Sequence, residues 1–396
     1  MTVGFGKLSN RLQTMGKHVN IFMFIDALGW DVVERYAFLA DFPYRRPVAM
    51  QFGYSSTAIP TILTGAKPSE HGHLSLFAYS PDHSPFKGLG RLGRFLRPTS
   101  FWERGRIRNI MTRLARKFYG FTGYFNLYSV PFNRIGLMDY MEKDDIFAEG
   151  GLTPCANLRD VLKAKKIPYH MSDWRASEEE NLAAAETALT EGKVEFMFIY
   201  TAALDAMRHD HSPEDAEIRD KLKWYESRIH RLMEAAKANF SDFTFTVVSD
   251  HGMTDLTKTV DLKKAVESTG LVFNEDYAAC YDSTLFRVHY LKDGAKDAIH
   301  KAVNEKAFPG HWLNGDELVK YGIDFTDHRY GDEIFIVDPG VQIVPSDLCR
   351  KSLHGMHGYD PMHANSLAAV VSTAEIPDYV HEVRDYFRMM TERLKS

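Results

Sequence analysis

Three apolar runs in this chain each lead to an aspartate, and this pattern sets the fold class. They are Ile21-Phe22-Met23-Phe24-Ile25-Asp26, Phe196-Met197-Phe198-Ile199-Tyr200 with Asp205 and His209 following, and Phe245-Thr246-Val247-Val248-Ser249-Asp250-His251. Each run is short, rich in β-branched or aromatic residues and apolar nearly throughout, as strands buried on both faces are. Helical stretches are expected at Leu158–Lys166, Glu178–Thr190 and Asp215–Asn239. Strand and helix in alternation specify an α/β fold with a mainly parallel sheet flanked by helices. Ligands in such sheets bind beyond the carboxyl ends of the strands. Asp26, Asp205 and Asp250 should therefore face one sheet edge. His357-Gly358-Tyr359-Asp360 adds a fourth piece near the C-terminus. Ionised Asp and neutral His together are the ordinary ligands of Zn²⁺ and similar ions.

A chain of 396 residues has room for a large core. Its formal net charge of -5 gives no global attraction to nucleic acid, and no nucleic-acid partner is expected. Cys155, Cys280 and Cys349 are far apart and odd in number, so free thiols in a reducing compartment are expected. The segment Met1–Asn20 is polar and basic and lacks an apolar stretch of signal-peptide length. No run approaches the length of a membrane span. The expected location is the cytoplasm.

Two segments break the strand–helix rhythm. Residues 75–150 are rich in aromatics, Arg and Gly, and between Lys87 and Lys117 they carry ten Lys or Arg against one acid, Glu103. There Arg104, Arg106, Arg108, Arg113, Arg116 and Lys117 interleave with Ile107, Ile110, Met111, Leu114 and Phe118. A helix packed on the core by its apolar stripe is the plain expectation. A cap over a polyanionic or lipid-linked substrate, or peripheral contact of 87–117 with an anionic membrane, are the alternatives. Residues 262–344 are expected to form a small α+β insertion.

Phe52-Gly53-Tyr54-Ser55-Ser56-Thr57-Ala58-Ile59-Pro60 opens a segment that runs to Thr64-Gly65 and on to Pro68-Ser69-Glu70-His71-Gly72. Hydroxyl residues after a turn are good helix caps. A helix N-terminus also presents free N–H groups to a phosphate. Pro60 is comfortable only in a first turn, which would move the cap toward Thr57. Spacing alone leaves Ser55, Ser56 and Thr57 open as nucleophile.

These residues together resemble the alkaline phosphatase superfamily, and within it the type I phosphodiesterase/nucleotide pyrophosphatase branch. The resemblance is a set of ordered patches from Asp26 to Asp360. Asp26 in Phe24-Ile25-Asp26-Ala27-Leu28-Gly29-Trp30-Asp31 looks like the first metal ligand. The stretch with Thr64-Gly65, Pro68 and His71-Gly72 looks like the nucleophile helix, and counting back from Gly65 places the nucleophile on Ser55. Asp205-Ala206-Met207-Arg208-His209 is similar to the Asp-x-x-x-His ligand pair, and Asp250-His251-Gly252-Met253 to the Asp-His-Gly-Met segment. His357-Gly358-Tyr359-Asp360 resembles the last ligand segment, with His354 and His363 as nearby alternatives. Ala58 stands where the family carries an Asn that binds a phosphate oxygen, so either another donor acts here or the substrate differs.

The resemblance implies one alkaline-phosphatase-like catalytic domain over 1–396, with inserted cap segments at about 75–150 and 262–344. It implies two divalent metal ions, with Zn expected and Mn an alternative. One would be held by Asp26, Asp250, His251 and Ser55, the other by Asp205, His209 and His357. The implied reaction is hydrolysis of a phosphodiester or pyrophosphate bond through a phosphoseryl intermediate (phosphothreonyl if Thr57 is the nucleophile). The expected substrate is a small-molecule, lipid-linked or sugar-linked diester. A phosphotransferase, a phosphomonoesterase and a metal-stabilised binding module without turnover are the competing readings. His71 and His73 are expected to support the nucleophile helix, and His211 matches no ligand position.

Overall fold

A computed structural model describes residues 18–394, apart from 94, 96–98 and 103. Arg94, Arg97, Glu103 and the polar stretch before His18 lie outside the described residues.

The first apolar run forms the strand β1 (His18–Ile25) at the centre of a six-stranded sheet. The other strands, in chain order, are β2 (Tyr44–Val48), β3 (Tyr169–Met171), β4 (Phe196–Thr201), β5 (Asp242–Val248) and β6 (Ala368–Ser372). Their spatial order is β2-β6-β5-β1-β4-β3. β3, β4, β1 and β5 run parallel, and β6 is antiparallel to both its neighbours.

β1 explains why its sequence is apolar without alternation. Val19, Ile21, Met23 and Ile25 pack on one face with Leu182, Leu189, Ile229 and Leu232. Phe22 and Phe24 pack on the other with Ile59, Ile62, Leu63 and Tyr386. Both faces are thus covered by helices, and truncating one of these aromatic rings to Ala costs about 3–5 kcal/mol.

Register sets the site. Phe24 pairs with Tyr200 on β4 and with Val248 on β5. The three parallel strands therefore end level, and Asp26, Asp205 and Asp250 follow at one edge.

The segment 262–344 folds around a four-stranded antiparallel sheet of Tyr277–Tyr281, Leu285–Tyr290, Glu333–Val337 and Gly310–Trp312. Its core also takes in Phe52, Tyr54 and Leu74, so it packs against the chain that carries the candidate nucleophile.

The aromatics of 75–150 have their own cluster. Phe86 stacks on Phe125 at 5.7 Å, and Phe125 meets Tyr140 edge-on at 4.8 Å.

The structure corrects two expectations here. Helix α1 (Ser55–Thr64) is capped at Tyr54, not near Thr57, and Pro60 lies inside it. The missing Pro60 N–H is tolerated because the helix is held from its sides. Thr61 donates to the Thr57 carbonyl at 3.0 Å and Thr64 to the Pro60 carbonyl at 2.7 Å.

Helix α2 (Gly105–Tyr119) does not bury its whole apolar set. Ile107, Met111 and Ala115 are partly buried, while Ile110, Leu114 and Phe118 are 55%, 64% and 83% exposed. Its one buried residue is Arg108, whose guanidinium donates to the carbonyls of Tyr128 and Val130 at 2.9 and 2.8 Å. A cation takes the core position because it satisfies loop carbonyls that would otherwise be orphaned.

Candidate active site

Asp26 follows β1 directly, at a turn where Ala27 adopts φ 59°. A non-glycine residue there stores strain, which the surroundings must hold. They do so through the Ala27 N–H, which donates to Asp250 Oδ1 at 3.2 Å. The His251 N–H donates to the same oxygen at 3.0 Å. Asp250 Oδ1 is thereby occupied and Oδ2 is left to face Nε2 of His251 at 3.2 Å.

Helix α3 (Glu178–Glu191) covers the sheet, and after β4 comes α4 (Ala203–Asp210). Four residues apart on α4, Asp205 and His209 share a face. Their side chains approach to 3.5 Å between Oδ2 and Nε2. His209 Nδ1 lies 2.9 Å from the Gly355 carbonyl, so Nδ1 carries the proton and Nε2 keeps its lone pair. His251 repeats the device, with Nδ1 2.8 Å from the Gly252 carbonyl.

His357 joins them from the C-terminal segment. Its ring stacks on His251 with centroids 3.8 Å apart, and its Nε2 is 3.6 Å from Asp205 Oδ1. Gly358 beside it has φ 88°, and a Cβ there would stand 2.9 Å from the Tyr54 ring. Tyr54 accepts the Thr284 N–H at 3.0 Å and is 2.7 Å from Thr284 Oγ1, which donates to the Gly358 carbonyl at 2.9 Å. This chain of bonds ties α1 to the His357 loop.

The three hydroxyls now separate. Ser55 Oγ is 3.0 Å from His251 Nε2. Ser56 lines the same cavity. Thr57 turns away: its hydroxyl donates to the Leu74 carbonyl at 2.5 Å and accepts the Tyr54 N–H at 3.4 Å. Ala58 is fully buried in the helix, away from the cavity lining.

The other histidines also sort. His71 Nε2 bonds the Thr61 hydroxyl at 2.9 Å and so braces α1. His354 is half-exposed beside Asp255, His363 caps a short turn, and His211 pairs with Asp215.

Asp26, Asp250 and His251 form one group whose ligand atoms lie within 4.8 Å of one another, and Asp205, His251 and His357 form another. Burial holds the Asp26 carboxyl well above the usual range, with the charges of Asp250 and Asp205 adding to it. Burial also raises Asp250, and the neighbouring His251 opposes this. The His357 ring is held well below the usual imidazole range by burial, then by His251 and His209.

Asp26 Oδ1, Asp205 Oδ1, Asp250 Oδ2 and His357 Nδ1 are buried without a hydrogen-bond partner. Buried carboxylates without partners are costly unless a cation offsets them. Three such carboxylates with neutral, lone-pair-bearing imidazoles fit divalent metal ions.

Above this cluster opens a cavity of about 530 Å³, lined in part by Tyr124, Tyr128, Glu142, Phe147, Trp174 and Tyr200. Tyr124, Tyr128, Glu142, Phe147 and Trp174 carry no local sequence motif, and Tyr200 is legible only as part of β4.

The level strand ends, the seated hydroxyl and the paired Asp–His groups define an alkaline-phosphatase-like fold with a hydrolase-type site. The chain belongs to the type I phosphodiesterase/nucleotide pyrophosphatase family, whose model matches residues 53–360. It is a phosphodiesterase/pyrophosphatase-type enzyme of a metal-dependent family, which removes the non-enzymatic binding module as a reading.

No curated protein matches the sequence. Among solved structures, murine ectonucleotide pyrophosphatase/phosphodiesterase 5 is similar with a TM-score of 0.66 at 15% identity, over 94% of each chain. The human protein of that name gives 0.65 at 13%, again over 94% of each. An inactive variant of the murine protein in complex with AMP gives 0.64 at 15%, over 95% of this chain and 94% of that one. At such identities these likenesses bear on the fold alone.

Proposed function

We propose that Ser55 attacks the phosphorus of a small-molecule phosphodiester or pyrophosphate, expels one alcohol or phosphate, and forms a phosphoseryl ester that water then hydrolyses. The observation that carries this reading is the Ser55 hydroxyl 3.0 Å from His251 Nε2, at the base of a cavity far larger than a phosphoryl group.

Asp26, Asp250, His251 and Ser55 would hold one divalent ion, and Asp205, His209 and His357 a second, with Zn or Mn suited to this donor set. Bound there, such ions supply Lewis-acid stabilisation of the charge that develops on the phosphoryl oxygens. The chain's own residues do the rest. His251, fixed by the Gly252 carbonyl, keeps its Nε2 beside the Ser55 oxygen so that both atoms can reach one ion. The Ser55 and Ser56 N–H groups precede the first helical bonds, which Thr57 and Ala58 make to the Tyr54 carbonyl, and with the helix dipole they favour an anion at this end. The Ser56 hydroxyl stands in for the donor that Ala58 cannot supply.

The test is turnover of bis(p-nitrophenyl) phosphate against p-nitrophenyl phosphate by protein stripped of metal and refilled with Zn²⁺ or Mn²⁺. Metal-dependent preference for the diester supports the reading. Preference for the monoester would make the protein a phosphatase.

The outward face of α2 supports a second reading, contact with an anionic membrane surface. Leu92, Phe95, Phe101, Ile110, Leu114 and Phe118 are six of the twelve exposed large hydrophobic side chains among the described residues. Of these, Ile110, Leu114 and Phe118 lie on α2 and the other three precede it, and Arg106, Arg113 and Lys117 are exposed on α2. Apolar side chains flanked by cations suit an interfacial helix. No described helix is long and apolar enough to cross a membrane.

A further inference from the structure

We infer that Arg208 is a positioning residue for the metal centre, its buried guanidinium clamping the helix of Asp205 and His209 to the two segments that carry Asp26 and Asp250. This inference rests on the two-ion reading of the site and goes beyond it, because Arg208 is not one of the candidate ligands.

Arg208 takes the last of the three places between Asp205 and His209. Its side chain is fully buried. Arg is almost never buried to this extent without a partner. Here Nη2 donates to Asp31 Oδ2 at 3.4 Å and to the Met253 carbonyl at 3.2 Å. Asp31 opens the short helix Trp30–Arg35 just beyond Asp26. Met253 closes the segment of Asp250 and His251. One nitrogen on α4 thus joins both other ligand-bearing segments.

At two places these segments meet as bare backbone. A Cβ on Gly29 would stand 2.8 Å from the Gly252 Cα, and one on Gly355 would stand 2.6 Å from the Arg208 carbonyl oxygen. The clamp therefore sits in a closely fitted junction, where a small shift of α4 would be felt at the ligands.

The pair is a poor device for stability alone. Nε and Nη1 of Arg208 have no hydrogen-bond partner among the described residues. Burial raises the Asp31 carboxyl above its usual range, and the Arg208 charge opposes that rise. Apolar residues of similar volume often replace such a buried pair with no loss of stability. What the pair supplies is a fixed spacing between segments.

That spacing matters unequally to the two ions. Asp26 and Asp250 are tied together without Arg208, through the Ala27 N–H on Asp250 Oδ1. Among the described residues α4 makes hydrogen bonds to those two segments through Arg208 alone. Its other link at this end is to the loop before His357, through His209 and the Gly355 carbonyl. Losing the clamp should loosen the ion of Asp205 and His209 and spare the ion of Asp26 and Asp250.

The test is Zn²⁺ uptake by the full chain in equilibrium dialysis, with the bound metal counted. Wild type is compared with Arg208→Met combined with Asp31→Asn, which leaves neither buried charge unpaired. Wild type should bind two ions. The double variant should keep one at wild-type affinity and bind the other about tenfold or more weakly. The weakened step should be the one that Asp205→Asn loses. Arg208→Lys should restore it, because both bonds leave one nitrogen and an ammonium can donate both.

A role in folding alone would act elsewhere, lowering the thermal midpoint of chelated protein and leaving both affinities unchanged. Two ions bound by the double variant at wild-type affinity therefore overturn the proposal, whatever its midpoint, while the two-ion reading stands. Fewer than two ions on wild type would overturn that reading and the clamp with it. Should the double variant not fold, Asp31→Asn alone weakens the clamp without changing its shape, and unaltered uptake of the second ion by that variant overturns the proposal.

Discussion

Ser55 Oγ lies 3.0 Å from Nε2 of His251, a ring whose other nitrogen lies 2.8 Å from the Gly252 carbonyl. That backbone bond decides the tautomer, so Nε2 keeps a lone pair, which accepts the hydroxyl in the metal-free protein and is free to bind an ion. The seat of the Ser55 hydroxyl is therefore set by the main chain of the Asp250-His251-Gly252 segment as well as by its own helix.

Removing the hydroxyl should remove turnover. Ser55→Ala should lower kcat by about a thousandfold or more, as loss of a reacting atom does in other covalent catalysts. Thr57→Val should instead retain turnover and lose about 1–3 kcal/mol of stability, because it orphans the Leu74 carbonyl and the Tyr54 N–H. Steady-state kinetics and urea denaturation of the two variants check both halves. Activity in Ser55→Ala with loss in Thr57→Val would reverse the assignment.

Asp26→Asn should separate stability from function. In the metal-free protein Asp26 is buried beside Asp250 and Asp205, which makes its charge unfavourable. Neutralising it should raise the thermal midpoint of metal-stripped protein. The same change should remove most of the further rise that Zn²⁺ or Mn²⁺ gives the wild type. Differential scanning calorimetry with and without chelator reads both effects.

Glu142 gives a pH dependence of stability with a defined sign. Its carboxyl titrates near 4.5 when unfolded and about 8 when folded. Between these values the folded state holds a proton that the unfolded state has released. Native stability should therefore fall as pH rises from about 4.5 to about 8, by an amount on the order of a few kcal/mol. Glu142→Gln should flatten that slope. The phenols of Tyr128, Tyr140 and Tyr200, which surround it, are held above their usual range and stay neutral across this window. Equal slopes in wild type and variant, measured by chemical denaturation at pH 5 and pH 8, would contradict this.

The exposed face of α2 should bind vesicles that contain anionic lipid at low salt and release them as salt rises. Leu114→Ser with Phe118→Ser should abolish co-sedimentation. Arg113→Glu with Lys117→Glu should do so as well, since either half of the face is insufficient alone. Binding unchanged in both double variants would remove the membrane reading.

The candidate ligands Asp26, Asp205 and Asp250 are legible in the sequence because each follows its strand within a few residues. Strand polarity alone then sends Asp26, Asp205 and Asp250 to one edge, and the register Phe24–Tyr200–Val248 makes the ends level. The Gly-Tyr-Asp after His357 favours it over His354 and His363, and the structure places only His357 in the cluster.

The start of α1 is misjudged from sequence because Pro60 is weighed there by backbone preference, while side-chain bonds from Thr61 and Thr64 hold the helix around it. The stripe on α2 reads as buried because its spacing is helical, yet that spacing does not say which face turns inward. Glu142 carries no sequence signal at all. Its meaning depends on burial and on having no partner, and both are tertiary properties.

The central claim is that Ser55 becomes covalently attached to phosphorus. The most direct measurement is mass spectrometry of metal-loaded protein acid-quenched within milliseconds of mixing with bis(p-nitrophenyl) phosphate. The account predicts a p-nitrophenyl phosphoryl adduct on the peptide that contains Ser55, absent from Ser55→Ala and from chelated protein. Turnover of the diester with no adduct on that peptide, or full turnover by Ser55→Ala, would contradict it.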